Sequence, residues 1–570
     1  MKQELYQIWQ NIRMRGRHPF MVTAQNNVSY RNLYYSIKDI CGLFDDNGLK
    51  PGVKITIAVS DDATASAIFL AAFFDGLVPI MLSPENSPEK MVEISRSLDS
   101  KLHVDDNTEI IPRHLRVLKR FRVSHKYART PLLPEVEYSK LCYILFTSGS
   151  TATPRGVEIT YGNLFTQITT MQRLFLIGPG SRIFNSSPIS HTDGLVQGPI
   201  ISAVLGACVL RPGSFKISEL DQWLDFLRAE CPTHIITNPT ILSFILKFSP
   251  NSDAFASSQL KALICTGGAL TESLWTAFQT NFNVKVFNVY GSTETVANAL
   301  FAGAHPEMGE LGSIGKPVDC QARVAKGAQS GELELKGNNI SPRYWADPNL
   351  TAETRTSDGW FRTGDMVIEL KSGSYQFLGR FSSVINQGAV RIFPDEIDEV
   401  IKAHPSVVEC VTFALPDQDF EEIAVCAVTT ASELDVEELY TATAESLPSL
   451  KKPKIIKIVE QIPKTSTGKI DRGVLVEWLN NQQSSEVHVA YKNVVEKVFR
   501  IMSEVFSVSV SVLSVTSADK ETLGWDSFNH LKLILAIEEE FSIELSTNDI
   551  IRIRNTDDLV QTVQSHLDAT

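Results

Sequence analysis

The sequence predicts an α/β protein of several domains, and three observations carry that prediction. Short apolar runs alternate with helical segments over the first two thirds of the chain, the pattern of parallel sheets covered by helices. Near residue 310 the texture changes. GELELKG (Gly331 to Gly337) and SYQFLGR (Ser374 to Arg380) alternate as antiparallel strands do. The stretch from Tyr491 to Thr570 then turns helical in pattern. At 570 residues the chain has room for three or four domains of roughly 150 residues.

The elements follow in order. VKITIAV (Val53 to Val59) reads as a strand, Ala63 to Phe74 as a helix and Leu77 to Leu82 as a second strand. LCYILF from Leu141 is a strand, and Tyr161 to Phe175 a helix. Thr233 to Thr237 is a strand followed by a helix from Thr240. Leu260 to Thr266 and Val284 to Tyr290 are strands flanking a helix from Thr271 to Asn281. A smaller α+β segment runs from Arg380 to about Leu479. NNQQSSEVH (Asn480 to His488) is a polar run suited to a linker. No internal repeat or low-complexity tract is evident.

Composition excludes several classes. Apolar residues make up 43% and charged residues 21%, an ordinary globular mix. The formal net charge is −13, which argues against a general nucleic-acid or membrane binder. Nearly half of that charge falls on Tyr491 to Thr570, with 13 Asp and Glu against 7 Lys and Arg. Eight cysteines are scattered without C-x-x-C spacing, so they read as buried free thiols of a reducing compartment. The N-terminus has no apolar signal region. Asp75, Gly76 and Pro79 break the most hydrophobic stretch, Ser66 to Leu82, before it reaches the roughly 20 residues of a membrane span. The expectation is a soluble, cytoplasmic protein with no membrane insertion and no nucleic-acid partner.

Several segments carry chemistry. In LFTSGSTATPRGV (Leu145 to Val157) a buried strand ends in hydroxyl and glycine residues and then a cation. Such a loop offers N–H groups and hydroxyls to phosphate oxygens. It is not a Walker A loop, since Pro154-Arg155-Gly156 stands where Gly-Lys-Ser/Thr is required. NVYGSTE (Asn288 to Glu294) places a carboxylate just past another strand, where parallel sheets bind ligands. WFRTGD (Trp360 to Asp365) sets a second carboxylate in a tight turn. PKTSTGKIDR (Pro463 to Arg472) carries a lysine on a Ser/Thr/Gly loop. The plainer alternatives are a Ser/Thr-rich turn, loop-capping carboxylates and a surface lysine.

In this order and spacing, the segments resemble the adenylate-forming superfamily of acyl-CoA synthetases, firefly luciferase and nonribosomal peptide adenylation domains. The resemblance covers about residues 20 to 475. It implies a large adenylation domain (1–379) with parallel sheets and a distorted β-barrel, and a small mobile α+β subdomain (380–480). It also implies ATP and Mg²⁺ as cofactors and a carboxylic acid as substrate, converted to acyl-adenylate and pyrophosphate. The transferring group is anionic, so the site must neutralise charge. By resemblance, Thr147, Ser148, Gly149, Ser150, Thr151 and Arg155 hold the pyrophosphate side. Glu294 ligates Mg²⁺ and Thr293 contacts the α-phosphate. Asp365 accepts the ribose hydroxyls, with Arg380 beside it. Gly267, Gly268 and Ala269 lie under adenine, Tyr290 and Gly291 belong to the nucleotide site, and Lys469 is the mobile catalytic cation.

The chain departs from the family pattern at Ala152 and Arg155 in the phosphate loop, at Ser382 in the hinge, and at Ala389 beside Gly388. These changes bear on the thiol-accepting step. SPISHTDGL (Ser187 to Leu195) resembles the H-x-x-G form of acyl- and aryl-CoA ligases. His191 would then gate or orient the carboxylate, and the missing Phe-Asp pair favours an acid without an α-amine. A core histidine is the alternative for His191, and Asp193 keeps the amino-acid reading open.

LGWDSFNHLKLILAIEEEF (Leu523 to Phe541) resembles a carrier domain whose serine takes 4′-phosphopantetheine, with Ser527 the match. Phe528, Leu531, Ile534, Leu535 and Phe541 form the expected apolar stripe. A simple N-cap serine is the alternative. The resemblance implies a 481–490 linker, a four-helix carrier (491–570), a phosphopantetheinyl transferase and downstream synthase or condensation enzymes as partners. The reading is an acid–thiol ligase that loads its own carrier in a polyketide, nonribosomal peptide or lipid pathway. An acyl-CoA ligase, an amino-acid-activating module and a catalytically degenerate scaffold are its rivals.

Overall fold

Helix Asp62–Asp75 shows how this sequence builds its core. It is apolar on all sides, and every residue from Ala65 to Asp75 is buried. The Asp61 side chain accepts from the Thr64 N–H at its start, and Gly76 ends it in the left-handed region at φ 71°. A helix greasy all round must be covered on both faces. Two sheets cover it, and the main core takes residues from both of them, Ile57 and Tyr143 from one and Ile183, Ile236 and Ile264 from the other.

The computed structural model describes residues 2–106, 116–117, 128–147, 155–213, 215–387, 390–417, 421–432, 434–448, 451–464, 470, 474–476, 497–506, 525, 527–541, 543, 545–546, 549–550, 553 and 556–568. The chain divides into two compact units, Met1–Lys469 and Ile470–Thr570.

In the first unit, a six-stranded sheet runs in the order Arg116–Val117, Leu102–Asp105, Lys54–Ala58, Val78–Met81, Leu141–Thr147, Arg155–Thr160. Only its last pair is antiparallel. A nine-stranded sheet has a parallel centre, Val286–Tyr290, Ala262–Cys265, His234–Thr237, Arg182–Asn185, Cys208–Arg211 and Pro19–Thr23, with antiparallel strands at both edges. Its outer face packs under helices Leu220–Glu230, Pro239–Phe248 and Glu272–Phe282. The expected strands and helices of this region form within one or two residues of their expected bounds.

The alternating segments near residue 310 form a four-stranded antiparallel sheet, Cys320–Val324, Ser330–Gly337, Phe361–Glu369, Tyr375–Arg380. The expected distorted barrel is not closed among the described residues. Strand Cys320–Val324 pairs on one side only, and a single bridge, Gly315 to Tyr375, reaches the preceding segment. A five-stranded sheet from Ile385 to Ile458 carries its own core under helices Pro394–Lys402 and Val436–Ser446.

The longer described stretches of the second unit are helices: 497–506, Ser527–Phe541 and Thr556–Asp568. It has a separate core of Val498, Met502, Trp525, Leu533, Ile537, Leu559 and Val563 among others. The expected apolar stripe is phased differently. Leu533, Ile534 and Ile537 are buried, whereas Leu535 is 65% exposed. Packing on the neighbouring helices sets the phase, which the apolar spacing alone did not. The cysteine expectation needs one correction as well, because Cys231 is exposed at the end of a helix. No helix among the described residues is long and apolar enough to cross a membrane.

Candidate active site

Parallel strands Arg182–Asn185, His234–Thr237, Ala262–Cys265 and Val286–Tyr290 end along one sheet edge. The loops that leave this edge carry His191, Gly267 to Ala269 and Gly291 to Glu294, so sheet topology alone brings three predicted segments together.

After Tyr290 the chain reverses within a few residues. Thr293–Thr295 is a single 3₁₀ turn, with the Ser292 N–H donating to Thr295 Oγ1 at 2.8 Å. Val296 and Ala297 follow with φ of 54° and 91°, unusual for residues that carry a Cβ. Ala299 N–H then bonds back to Tyr290 O at 2.8 Å. A Cβ at Gly291 would lie 1.8 Å from Ala297 O, so only glycine allows this reversal.

Glu294 is gripped at both ends. Its backbone carbonyl accepts from Ser341 N–H at 2.7 Å, and its Oε1 accepts from Tyr344 Oη at 2.7 Å. The 341–345 segment is itself tied to strand Arg155–Thr160. Trp345 N–H donates to Gly156 O at 2.7 Å, and Arg343 Nε lies 2.9 Å from Glu158 Oε2. Arg355 adds a further anchor. Its Nη2 donates to Ser341 O, and its guanidinium lies 4.6 Å over the Phe361 ring. Burial pushes the Tyr344 phenol far above its ordinary range, and Glu294 pushes the same way, so Tyr344 stays a donor. Arg355 and Arg155 both pull against that shift.

Asp365 and Arg380 are direct partners in neighbouring strands. Arg380 Nε lies 3.2 Å from Asp365 Oδ1, and Tyr290 Oη donates to Asp365 Oδ2 at 2.5 Å. Asp365 is 5% exposed. Burial raises its carboxyl above the ordinary value, Arg380 and Tyr290 oppose the rise, and the Glu294 charge adds to it. Asp365 and Glu294 therefore share one electrostatic site.

The H-T-D-G segment caps a short helix, Thr192–Leu195, with His191 at the cap position. A Cβ at Gly194 would meet Pro188 O at 2.1 Å. Asp193 Oδ1 accepts from Gln197 Nε2 at 2.7 Å and from Thr266 Oγ1 at 3.4 Å, next to Gly267. Gly267 is left-handed at φ 78°, and a Cβ on Gly268 would crowd Pro239 at 3.3 Å. Thr147 and Arg155 face each other across the hairpin. Its connecting residues, Ser148, Gly149, Ser150 and Thr151 included, lie outside the described residues. So do Gly388, Ala389 and Lys469. Lys464, five residues before Lys469, is fixed by Glu409 Oε1 at 2.6 Å. Ser527 opens helix Ser527–Phe541 in the second unit.

The structure thus gathers Arg155, Tyr290, Gly291, Thr293, Glu294, Asp365 and Arg380. It adds Ser341, Tyr344 and Arg355, which no sequence motif singled out. Among the described residues no cluster of three or more His, Cys, Asp or Glu side chains forms a metal site. Glu294 with one oxygen held by Tyr344 suits Mg²⁺ all the same, since that ion commonly takes one or two carboxylates plus phosphate and water.

Residues 8–345 match the model of the AMP-binding enzyme family, and 396–469 match the AMP-binding enzyme C-terminal domain. The sulfoacetate–CoA ligase of Cupriavidus necator is 32% identical over 349 residues, covering 60% of this chain and 67% of that protein. The oxalate–CoA ligase of Arabidopsis thaliana is 25% identical over 498 residues, 81% of this chain and 95% of that one. ATP-bound MatB from Rhodopseudomonas palustris superposes with a TM-score of 0.73 at 21% identity, covering 82% of this chain and 98% of MatB. The fold is the adenylate-forming one, with a large N-terminal and a small C-terminal domain, and the chain belongs to the AMP-binding enzyme family.

Proposed function

We propose that the protein is an ATP-dependent acid–thiol ligase. A carboxylate oxygen of the substrate attacks the α-phosphate of ATP, the α–β phosphoanhydride bond breaks, and pyrophosphate leaves. The acyl-adenylate then passes its acyl group to a thiol and releases AMP. The observation that carries the reading is the convergence of Arg155, Glu294 and the Asp365–Arg380 pair around one sheet edge. Glu294, oriented by Tyr344 and Ser341, would hold Mg²⁺, which supplies charge neutralisation on the phosphates. Arg155 would face the pyrophosphate side and Thr293 the α-phosphate. Asp365 would take the ribose and His191 the carboxylate. Lys469 would bring the last cation.

The thiol is assigned first to coenzyme A, because the relatives are named as CoA ligases. A second reading rests on a specific observation. Residues 470–570 lie beyond both family matches, pack around their own core and start a 15-residue helix at Ser527. On that reading Ser527 bears 4′-phosphopantetheine, and the protein loads its own carrier. Acid-dependent exchange of labelled pyrophosphate into ATP tests the first step, and no exchange across a broad panel of fatty, aryl and amino acids sinks it in favour of a scaffold. A phosphopantetheinyl transferase should add the arm to the wild type and not to Ser527→Ala. An unchanged mass in both removes the carrier reading and leaves coenzyme A.

A further inference from the structure

Asn185 ends the interior strand Arg182–Asn185 with a side chain that has no exposed surface. Both ends of its amide are used. Oδ1 accepts from Ser187 N–H at 2.9 Å, and Nδ2 donates to Asp193 O at 2.9 Å and to Gln197 O at 3.3 Å. These partners flank His191 on both sides. Gln197 O is open to this bond because the chain kinks there: Gln197 and Gly198 leave helical φ/ψ and Pro199 follows. The turn between closes through His191 N–H to Pro188 O at 3.0 Å. It lies so tightly on the next helix that a Cβ at Gly194 would strike the Ser187 and Pro188 carbonyls. Asn185 is itself anchored. Its carbonyl accepts from Arg211 Nη1 at 2.6 Å, and Arg211, 4% exposed, reaches Asp62 Oδ2 at 2.8 Å at the start of helix Asp62–Asp75.

We infer that Asn185 is a positioning residue for acid activation: its amide sets the turn from Ser187 to Leu195 so that His191 meets the substrate carboxylate. The inference rests on the adenylation reading and on the place of His191 in it. Residues 186–191 belong to no strand or helix, so side-chain bonds must set their course. Only an amide fits the three partners, one of which is a donor and two of which are carbonyl acceptors. A carboxylate would turn its charge on the two carbonyls. A hydroxyl brings a single proton, and a leucine of similar size leaves all three groups unmet. Irregular backbone fixed by several buried groups is characteristic of sites where geometry matters. Glu294 and Asp365 hang on other elements, the 3₁₀ turn Thr293–Thr295 and strand Phe361–Glu369. A slack turn should therefore weaken use of the acid and spare ATP.

Asn185→Leu is the test. Pyrophosphate exchange is read with butanoate, benzoate, oxalate and glycine, and hydrogen–deuterium exchange is read on the full chain. For the acid that the wild type uses best, KM should rise at least about tenfold and kcat/KM should fall about a hundredfold. KM for ATP should stay within about twofold. Amide protection should drop over 187–197 and hold in the six-stranded sheet. Asn185→Ser takes the place of the leucine variant if that does not fold. Its lone hydroxyl proton serves only one of the two carbonyls, so the same pattern is expected at smaller amplitude. A lower kcat with both KM values unchanged is the mark of a smaller folded fraction and overturns the inference. So does a rise in KM for ATP equal to that for the acid, or unchanged protection of the turn. If the wild type exchanges with none of the acids, the adenylation reading fails instead, and the protection of 187–197 then decides whether Asn185 holds the turn.

Discussion

Tyr344→Phe isolates the grip on Glu294. The Tyr344 ring is 7% exposed and packed in the main core, so phenylalanine keeps the packing and removes only the hydroxyl. The lost bond, Tyr344 Oη to Glu294 Oε1 at 2.7 Å, runs to a carboxylate, and such bonds contribute about 1.5–3 kcal/mol. Glu294 is only half-buried, so water replaces part of the loss, and stability should fall by about 1 kcal/mol. The larger effect falls on function. Freed of Tyr344, the carboxylate samples other rotamers, and about 1.4 kcal/mol of lost orientation is a factor of ten. The Mg²⁺ concentration at half-maximal pyrophosphate exchange should therefore rise about tenfold, while nucleotide binding without Mg²⁺, measured by calorimetry, stays unchanged. A variant that loses stability but keeps the wild-type Mg²⁺ profile would show that Tyr344 only packs, and would refute the argument.

Other perturbations follow from the same geometry. Asp365→Asn keeps the acceptor for Tyr290 and removes a charge that burial disfavours. The native carboxyl lies above its ordinary 3.8, so the native state binds more protons than the unfolded one just above that value. Its contribution to stability therefore falls as pH rises through that window. The variant should melt higher than wild type at neutral pH, converge with it in acid and lose affinity for ATP; a lower melting temperature at neutral pH contradicts this. His103, buried beside Thr56 with its pKa pushed down to about 4, must stay neutral in the fold. Unfolded protein binds the extra proton between about 6.5 and 4, so stability should drop across that window, and His103→Gln should flatten urea midpoints measured there. Gly291→Ala would press a methyl group to 1.8 Å from Ala297 O. It should cost about 3 kcal/mol in urea unfolding and displace Glu294 enough to lower exchange by about a hundredfold. Wild-type stability in that variant would mean the reversal relaxes without cost.

What was legible in the sequence depended on range. Helix Tyr161–Phe175 forms at its expected bounds because its start is local. Thr160 and Asn163 make a capping box with their own backbone neighbours. Arg155 and Glu294 were legible because each follows the end of an apolar strand run, Leu141–Thr147 and Val286–Tyr290. Asp365 lies in the middle of strand Phe361–Glu369 rather than in the expected tight turn, and was legible through the WFRTGD motif alone. Tyr344 and Arg355 were not. They lie 50 and 61 residues beyond Glu294 in an irregular segment with no periodicity, and their contacts are tertiary. Gln167 belongs to no motif in the sequence. It is buried on the face of Tyr161–Phe175 that packs into the main core, whereas Thr169, Gln172 and Arg173 of the same helix are exposed. The nine-stranded sheet depends on Pro19–Thr23 pairing with Cys208–Arg211, almost 190 residues away, which no local pattern foretells.

The C-terminal unit sharpens the question of the acceptor. If Ser527 bears the thiol, loading is intramolecular, and a tether commonly gives an effective concentration in the millimolar range. Nearly half of the net negative charge then rides on the carrier, −6 of −13, where a lysine- or arginine-rich partner enzyme would meet it. The two acceptors differ in kinetic order. Transfer to a tethered arm is first-order, with a rate per molecule that does not change on dilution and that free coenzyme A below millimolar levels should not compete away. Transfer to coenzyme A instead rises with its concentration until the site saturates. Diluting the adenylate-loaded, pantetheinylated protein a hundredfold at fixed micromolar coenzyme A should leave the rate of carrier acylation constant. A rate that falls with dilution would assign acylation to a second molecule and leave residues 470–570 without a catalytic part.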